Sequence, residues 1–156
     1  MEPLSTQKAA TLTGVPERTL NYWASTGLLS PSRRDGRGGY AGKSLRWPLE
    51  EMMLARTIRE ITQVLPPDVL RPFLDDLRGI FREAAQDPSC LDNLTPVLLY
   101  EPTELHLCRS SKEVQQLWEN RKRGQQMITW GFEEVQELAI KWKEVKERQD
   151  DRTVLE

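Results

Sequence analysis

The chain of 156 residues contains a single histidine and two cysteines, so few of its side chains suit metal or redox chemistry. Cys90 and Cys108 are too few to form the disulfide framework of a small secreted domain. His106 would share one side of a strand with Cys108, but no Cys-x-x-Cys motif is present and a structural zinc site needs four ligands. We therefore predict no metal site and no cofactor.

Catalytic motifs and membrane-spanning segments are also absent from the sequence. It has no nucleophile motif and no phosphate-binding loop, and its carboxylates are scattered along amphipathic helices, so we do not expect an enzyme. No apolar run approaches the roughly 20 residues that cross a bilayer, and no signal peptide is visible. These absences favour a cytoplasmic protein that has no membrane partner.

Acidic residues are scarce in the N-terminal part of the chain. Residues 1–47 contain seven Lys/Arg and three Asp/Glu, whereas residues 48–156 contain fifteen and twenty-one. The net charge of −2 argues against a nucleic-acid binder, but this distribution is typical of a basic DNA-binding segment joined to an acidic body. Ordinary fluctuation of surface charge is the alternative explanation.

The N-terminal segment has the element order of a winged helix-turn-helix. Ser5 is the predicted N-cap of a first helix over residues 6–13. Gly14 permits the positive φ of the turn, and Pro16 suits the first position of a second helix over residues 16–26. An Arg/Gly-rich hairpin follows, and it supplies the flexible cations that a phosphate backbone attracts.

The stretch from Thr11 to Arg34 resembles the DNA-binding domain of the MerR family of bacterial transcriptional regulators. Its most specific parts are a Leu-Thr-Gly-Val turn, an Arg-Thr-Leu followed by Tyr22, and a Gly-Leu-Leu before a Pro and an Arg. Asn21 stands where the family commonly has Arg. The resemblance extends over about residues 5–62, and it implies a homodimer that binds double-stranded DNA.

The second helix is expected to enter the major groove. Arg18, Asn21 and Glu17 can reach base edges there, since an Asn side chain suits a bidentate contact with adenine. The resemblance implies that Arg18, Thr19 and Tyr22 also contact the DNA backbone. It further implies that basic residues of the wing clamp the phosphates: Arg33, Arg34, Arg37, Lys43 and Arg46.

Residues 65–148 are predicted to form a smaller helical or α+β C-terminal domain after a DNA-binding domain over residues 1–64, so the expected fold class is mainly α. Apolar residues at helical spacing predict a helix over residues 68–85. The predicted elements that follow are short strands over residues 97–100 and 104–108, a helix from Ser110 to about Lys122 with a Ser110/Glu113 capping box, either a strand or an extended link over residues 127–130, and a last helix over residues 133–148. Residues 149–156 are expected to be a flexible tail.

The last predicted helix carries a heptad-like stripe that has two explanations. Val135, Leu138, Trp142 and Val145 alternate three and four residues apart, which suits a dimerisation seam. Two heptads are too few to establish a coiled coil, so a helix that packs on its own domain is an equal alternative. The C-terminal domain could also bind a small-molecule or protein effector.

These features together predict a sequence-specific DNA-binding protein, most simply a homodimeric bacterial transcription regulator. An accessory DNA-binding factor, such as an excisionase-like or partition-like protein, would use the same winged domain to bend or coat DNA. A protein-interaction module whose DNA contact is secondary is the other alternative.

Overall fold

Two short helices and a small antiparallel sheet form the N-terminal part of the structure, a computed structural model that describes residues 3–33 and 45–155. Helices α1 (Thr6–Thr13) and α2 (Glu17–Ser25) form a helix-turn-helix. The strands pair in the order β1-β3-β2: β1 (Leu4–Ser5), β2 (Ser32–Arg33) and β3 (Leu45–Trp47). The sheet therefore joins the chain that precedes α1 to the chain that follows α2.

The ends of the first two helices follow from local hydrogen bonds. The Ser5 side chain accepts from the backbone N–H of Lys8 at 3.3 Å, and Gly14 adopts a φ of 74° while its N–H donates to the Ala10 carbonyl at 2.9 Å. Both features confirm the prediction. Pro16 is extended, with φ −58° and ψ 147°, and serves as the N-cap of α2. The helix thus begins one residue later than predicted and ends at Ser25.

Helix α3 (Leu49–Ile61) lies at the centre of the molecule. Most of its residues are buried, and Met52, Leu54 and Ile58 are fully shielded from solvent. A helix with so many buried residues must be covered by neighbours on most of its sides. It accordingly packs against α1 and against two helices from the C-terminal half of the chain.

The segment after α3 contains less α-helix than the sequence predicts. Residues Pro67–Phe73 form a 3-10 helix, and α4 begins only at Leu74 and ends at Gln86. The predicted start at residue 68 was wrong because Pro72 lacks a backbone N–H and its ring clashes with the preceding turn of an α-helix. A second 3-10 turn, Pro88–Leu91, is capped by the Asp87 carboxylate, which accepts from the N–H of Ser89 at 3.1 Å.

A second antiparallel sheet follows, with the strand order β5-β4-β6. Its strands are β4 (Thr95–Tyr100), β5 (Glu104–Cys108) and β6 (Gln126–Thr129). The uncertain segment near residue 127 is therefore a strand and not a link. Leu98 pairs with Leu105 and Ile128 on the face toward the main core, while Val97 and Leu99 form a small cluster on the opposite face.

The capping box predicted for the next helix is present in a modified form. Helix α5 spans Ser111–Asn120, and the Ser110 side chain accepts from the N–H of Glu113 at 3.3 Å. The Glu113 carboxylate accepts from the N–H of Arg109, not of Ser110. Two donors at the start of the helix are nevertheless satisfied, which explains why α5 begins where the sequence predicts.

The last helix, α6, spans Glu133–Leu155 and so extends beyond the predicted end at Arg148. The tail predicted to be flexible from residue 149 instead continues the helix through residue 155, and it contains no Pro or Gly that would interrupt a helix. Arg56 of α3 bonds to Glu134 and holds the start of α6 against α3.

The main hydrophobic core extends from Leu4 in β1 to Trp142 in α6. It includes Val135 and Leu138, which are 2% and 3% exposed, whereas Val145 is half-buried. The stripe predicted as a possible dimer seam is therefore mostly covered by the same chain. A domain boundary after residue 64 would cut this core, because α4 and α6 pack directly on α3.

Candidate nucleic-acid interface

Helix α2 is buried on one face and open to solvent on the other. Leu20 and Trp23 lie in the core, with exposures of 0% and 6%. Glu17 and Arg18 are exposed at the N-terminal end, and Tyr22 is 63% exposed one turn later. The outer face therefore presents a carboxylate, a guanidinium and a phenol on an element slim enough for a major groove.

Two of the predicted contact residues are less accessible. Thr19 and Asn21 are half-buried, and Asn21 Oδ1 is shielded without a hydrogen-bond partner among the described residues. Asn21 lines a groove of about 380 Å³ between α2 and β3, together with Ser25, Ser30 and Leu45. A bidentate contact with adenine uses both amide atoms, so this side chain would have to turn outward to make it.

Only part of the predicted wing can be placed. Ser32 pairs with Arg46, and Arg33 pairs with Leu45, so β2 and β3 form the base of an antiparallel hairpin. Arg46 is half-buried. The predicted contact residues Arg34, Arg37 and Lys43, and the side chain of Arg33, lie outside the described residues.

Trp47 fixes the base of this hairpin to the first helix. Its side chain is fully buried, and the indole Nε1–H donates to Thr6 Oγ1 at 2.9 Å. Thr6 is 2% exposed, so the hydrogen bond is shielded from water. The contact sets the position of β3 relative to α1.

A buried ion pair that sequence analysis did not predict lies behind α2. Glu51 of α3 is 2% exposed, and Arg78 of α4 donates from Nε to Oε2 at 2.8 Å and from Nη2 to Oε1 at 3.1 Å. The hydrogen bond with Glu51 raises the pKa of the Arg78 guanidinium. The partners are separated by 27 residues on different helices, so no local pattern could have paired them.

This ion pair reaches the link between α2 and β2. The Glu51 carboxylate also accepts from the backbone N–H of Ser30 at 2.5 Å. Arg78 Nη2 donates to the Leu28 carbonyl at 3.1 Å and to Ser30 Oγ at 3.4 Å. The segment that leaves the exposed helix is thus hydrogen-bonded to both members of the pair.

Within the part of the chain that the structure describes, no group of three or more His, Cys, Asp or Glu side chains is placed to hold a metal ion. His106 is half-buried in β5, whereas Cys90 is exposed and lies outside that sheet.

In residues 3–33 and 45–155, no helix has the length and apolar character needed to cross a membrane.

Residues 4–45 match the family model described as MerR HTH family regulatory protein. The match covers about a quarter of the chain and includes α1, the turn at Gly14 and α2. No curated protein matches the chain. The N-terminal segment is therefore a helix-turn-helix of the MerR type, as the sequence predicted, and this type is found in DNA-binding transcription regulators.

Proposed function

We propose that this protein is a sequence-specific regulator of transcription that binds double-stranded DNA, with α2 in the major groove and the wing on the phosphates. The observation that supports this function best is the exposed face of α2 within the segment that matches the MerR model. Its core-facing residues are fully packed, so the polar outer face is free to meet a ligand. Arg18 is the most suitable base or phosphate contact, because a guanidinium can bond guanine or phosphate with two donors.

The proposed partner is a second copy of the chain as well as DNA. A single small domain covers little DNA surface and binds weakly, whereas two copies related by a two-fold axis read a palindromic site. The core of the same chain buries Val135, Leu138 and Trp142, so a second copy must contact another surface. Ile140, on the same helix, is 54% exposed and is available for such a contact.

The phosphate contacts are tested by the salt dependence of binding. Each phosphate contact that is removed should lower the slope of log affinity against log salt concentration by about 1. We expect this decrease for Arg34→Ala and for Arg37→Ala on a random-sequence duplex. Arg82→Ala is the matched control, because Arg82 is an exposed arginine on α4, 66% accessible and distant in sequence from the wing. An unchanged slope for both wing variants would exclude the wing as a phosphate clamp.

Base readout is tested with duplexes that the wild-type protein selects from a randomised pool. Arg18→Ala and Asn21→Ala should each weaken binding to the selected duplex by about 1–3 kcal/mol, with little effect on a scrambled duplex. Equal losses on both duplexes would place the residue on the DNA backbone. Transcript profiling of a deletion strain then separates a promoter regulator from a factor that changes only recombination or segregation.

A further inference from the structure

The C-terminal end of α2 is held by arginines from elsewhere in the chain. The last carbonyls of a helix lack donors within the helix, and the last turn of α2 contains no basic residue of its own. Arg71, from the 3-10 helix before α4, donates to the Thr26 carbonyl at 3.3 Å. Arg78 of α4 donates to the Leu28 carbonyl at 3.1 Å. Cations at this position also interact favourably with the negative end of the helix dipole.

Arg78 is the more deeply buried of the two arginines. Its side chain is only 12% exposed, and that of Glu51 is 3% exposed, whereas the Arg71 side chain is 44% exposed. Asp75 binds the remaining guanidinium nitrogen at 3.1 Å. A guanidinium bonded in this way on all sides has one orientation, so the carbonyl and hydroxyl that it touches are fixed relative to α3 and α4.

We infer that Arg78 is a positioning residue for DNA recognition, which sets the orientation of α2 and the start of the wing without contacting DNA. This inference rests on the proposed function. Base readout requires side chains held within about 0.5 Å of the productive position. Arg78 and Glu51 bond to both sides of the Leu28–Ser30 link, from which the wing begins. Removing this contact leaves α2 and the start of the wing less firmly positioned, while the residues that face the DNA are unchanged.

The test compares Arg78→Met with Arg82→Met. Arg82 lies one turn further along α4 and also faces a glutamate of α3, Glu50, but at 3.8 Å and with 66% of its side chain exposed. For each folded variant, affinity is measured on the wild-type-selected duplex and on a scrambled duplex. We expect Arg78→Met to lower the ratio of the two affinities by about tenfold, the loss that one charged hydrogen bond implies. Arg82→Met should leave the ratio within about twofold of wild type.

A second variant separates positioning from simple destabilisation. Arg78→Met leaves Glu51 as a buried unpaired charge, which can unfold the protein. The double variant Glu51→Met/Arg78→Met removes both charges, and apolar replacements of a buried pair are commonly tolerated. It restores the packing between α3 and α4 but not the hydrogen bonds to Leu28 and Ser30. We expect the double variant to fold and still to show a lower ratio of affinity for the selected duplex to affinity for the scrambled duplex.

Amide hydrogen exchange gives a readout that does not depend on DNA. The double variant should exchange faster at residues 27–30, with unchanged protection in the centre of α3. A folded double variant with wild-type exchange at residues 27–30 and a wild-type affinity ratio would overturn the inference. If the wild-type protein selects no duplex at all, the proposed function fails, and the exchange data alone then decide whether Arg78 orders the end of α2.

Discussion

At the scale of single residues, the buried hydrogen bond between Trp47 and Thr6 shows how a polar contact can specify the packing of two apolar surfaces. The Thr6 hydroxyl is the acceptor for an indole N–H that has no access to water. Leaving such a donor unpaired costs more than the bond itself contributes, because its hydration is lost as well. The hydrogen bond therefore disfavours any other position of β3 relative to α1.

Thr6→Val should consequently lower the free energy of unfolding by about 2 kcal/mol, since valine has the same shape but accepts no hydrogen bond. Urea denaturation followed by far-UV circular dichroism measures the change. Thr11→Val is the control: Thr11 is exposed on the same helix and only bonds the carbonyl of Gln7, so its loss should be below about 0.5 kcal/mol. Equal effects from the two substitutions would argue against a specific role for the buried bond.

Asn21 marks the limit of residue-scale reasoning from sequence. Its position on α2 and its amide chemistry predicted a base contact, but in the structure Oδ1 is shielded from solvent, and the residue lines the same groove as Leu45. Whether a helix residue faces solvent or a neighbouring strand depends on where that strand packs. The helical period alone gives the direction of the buried face but not its width.

At the scale of elements, the turn between α1 and α2 requires glycine because of its backbone conformation. Gly14 has a φ of 74°, which costs other residues energy. A Cβ at this position would also contact the guanidinium of Arg59, which donates to the Thr13 carbonyl. Arg59 of α3 therefore packs closely against the turn.

Gly14→Ala should destabilise the protein by about 1–2 kcal/mol, as expected for a left-handed non-glycine residue. Gly79→Ala, in the exposed middle of α4, should stabilise it by about 0.5–1 kcal/mol, because a Cβ there has nothing within 4 Å and alanine favours the helix. Thermal unfolding of both variants measures these opposite shifts. A stabilised Gly14→Ala variant would contradict the argument about φ.

At the scale of the whole molecule, the shared core joins the helix-turn-helix to the C-terminal helices. Ion pairs reinforce this connection, through Arg78 and Glu51 between α4 and α3 and through Arg56 and Glu134 between α3 and α6. The arrangement places α2, which we propose reads the DNA, and the C-terminal helices on one packed body. A change in packing around α4 would therefore reach α2 directly.

Substitutions on α6 test this organisation. Leu138→Asp would place a charge in the core, where Leu138 is 3% exposed, and should cost about 4 kcal/mol or more. Ile140→Asp lies two residues away at a site that is 54% exposed, so its effect on monomer stability should be within about 0.5 kcal/mol. Urea denaturation compares the two variants.

Light scattering on the Ile140→Asp protein then addresses the proposed homodimer. If the exposed side of α6 joins two copies, this variant should have the mass of a single chain at a concentration where the wild type has twice that mass. A folded Leu138→Asp variant with wild-type stability would contradict the packing of α6 in the core. Full operator affinity from a monomeric wild-type protein would instead contradict the homodimer.

The sequence by itself determined the features whose groups lie within a few residues of one another. Ser5 and Ser110 cap helices through N–H groups three residues away, and Gly14 ends α1 through the carbonyl four residues back. Gly14 also belongs to the Leu-Thr-Gly-Val turn, one of the motifs that carried the MerR resemblance, because a helix-turn-helix is a short and local unit. The effect of Pro72 in delaying α4 until Leu74 appeared only in the structure.

Only the tertiary structure decided what each apolar stripe packs against and which distant charges meet. The pattern of Val135, Leu138 and Trp142 is the same whether the partner is a second copy or the same chain, since periodicity records burial and not the identity of the neighbour. The pairing of Glu51 with Arg78 depends on how α4 crosses α3. That crossing is set by the packing of whole helices, because contacts between residues far apart in sequence form only when all the intervening elements are in place.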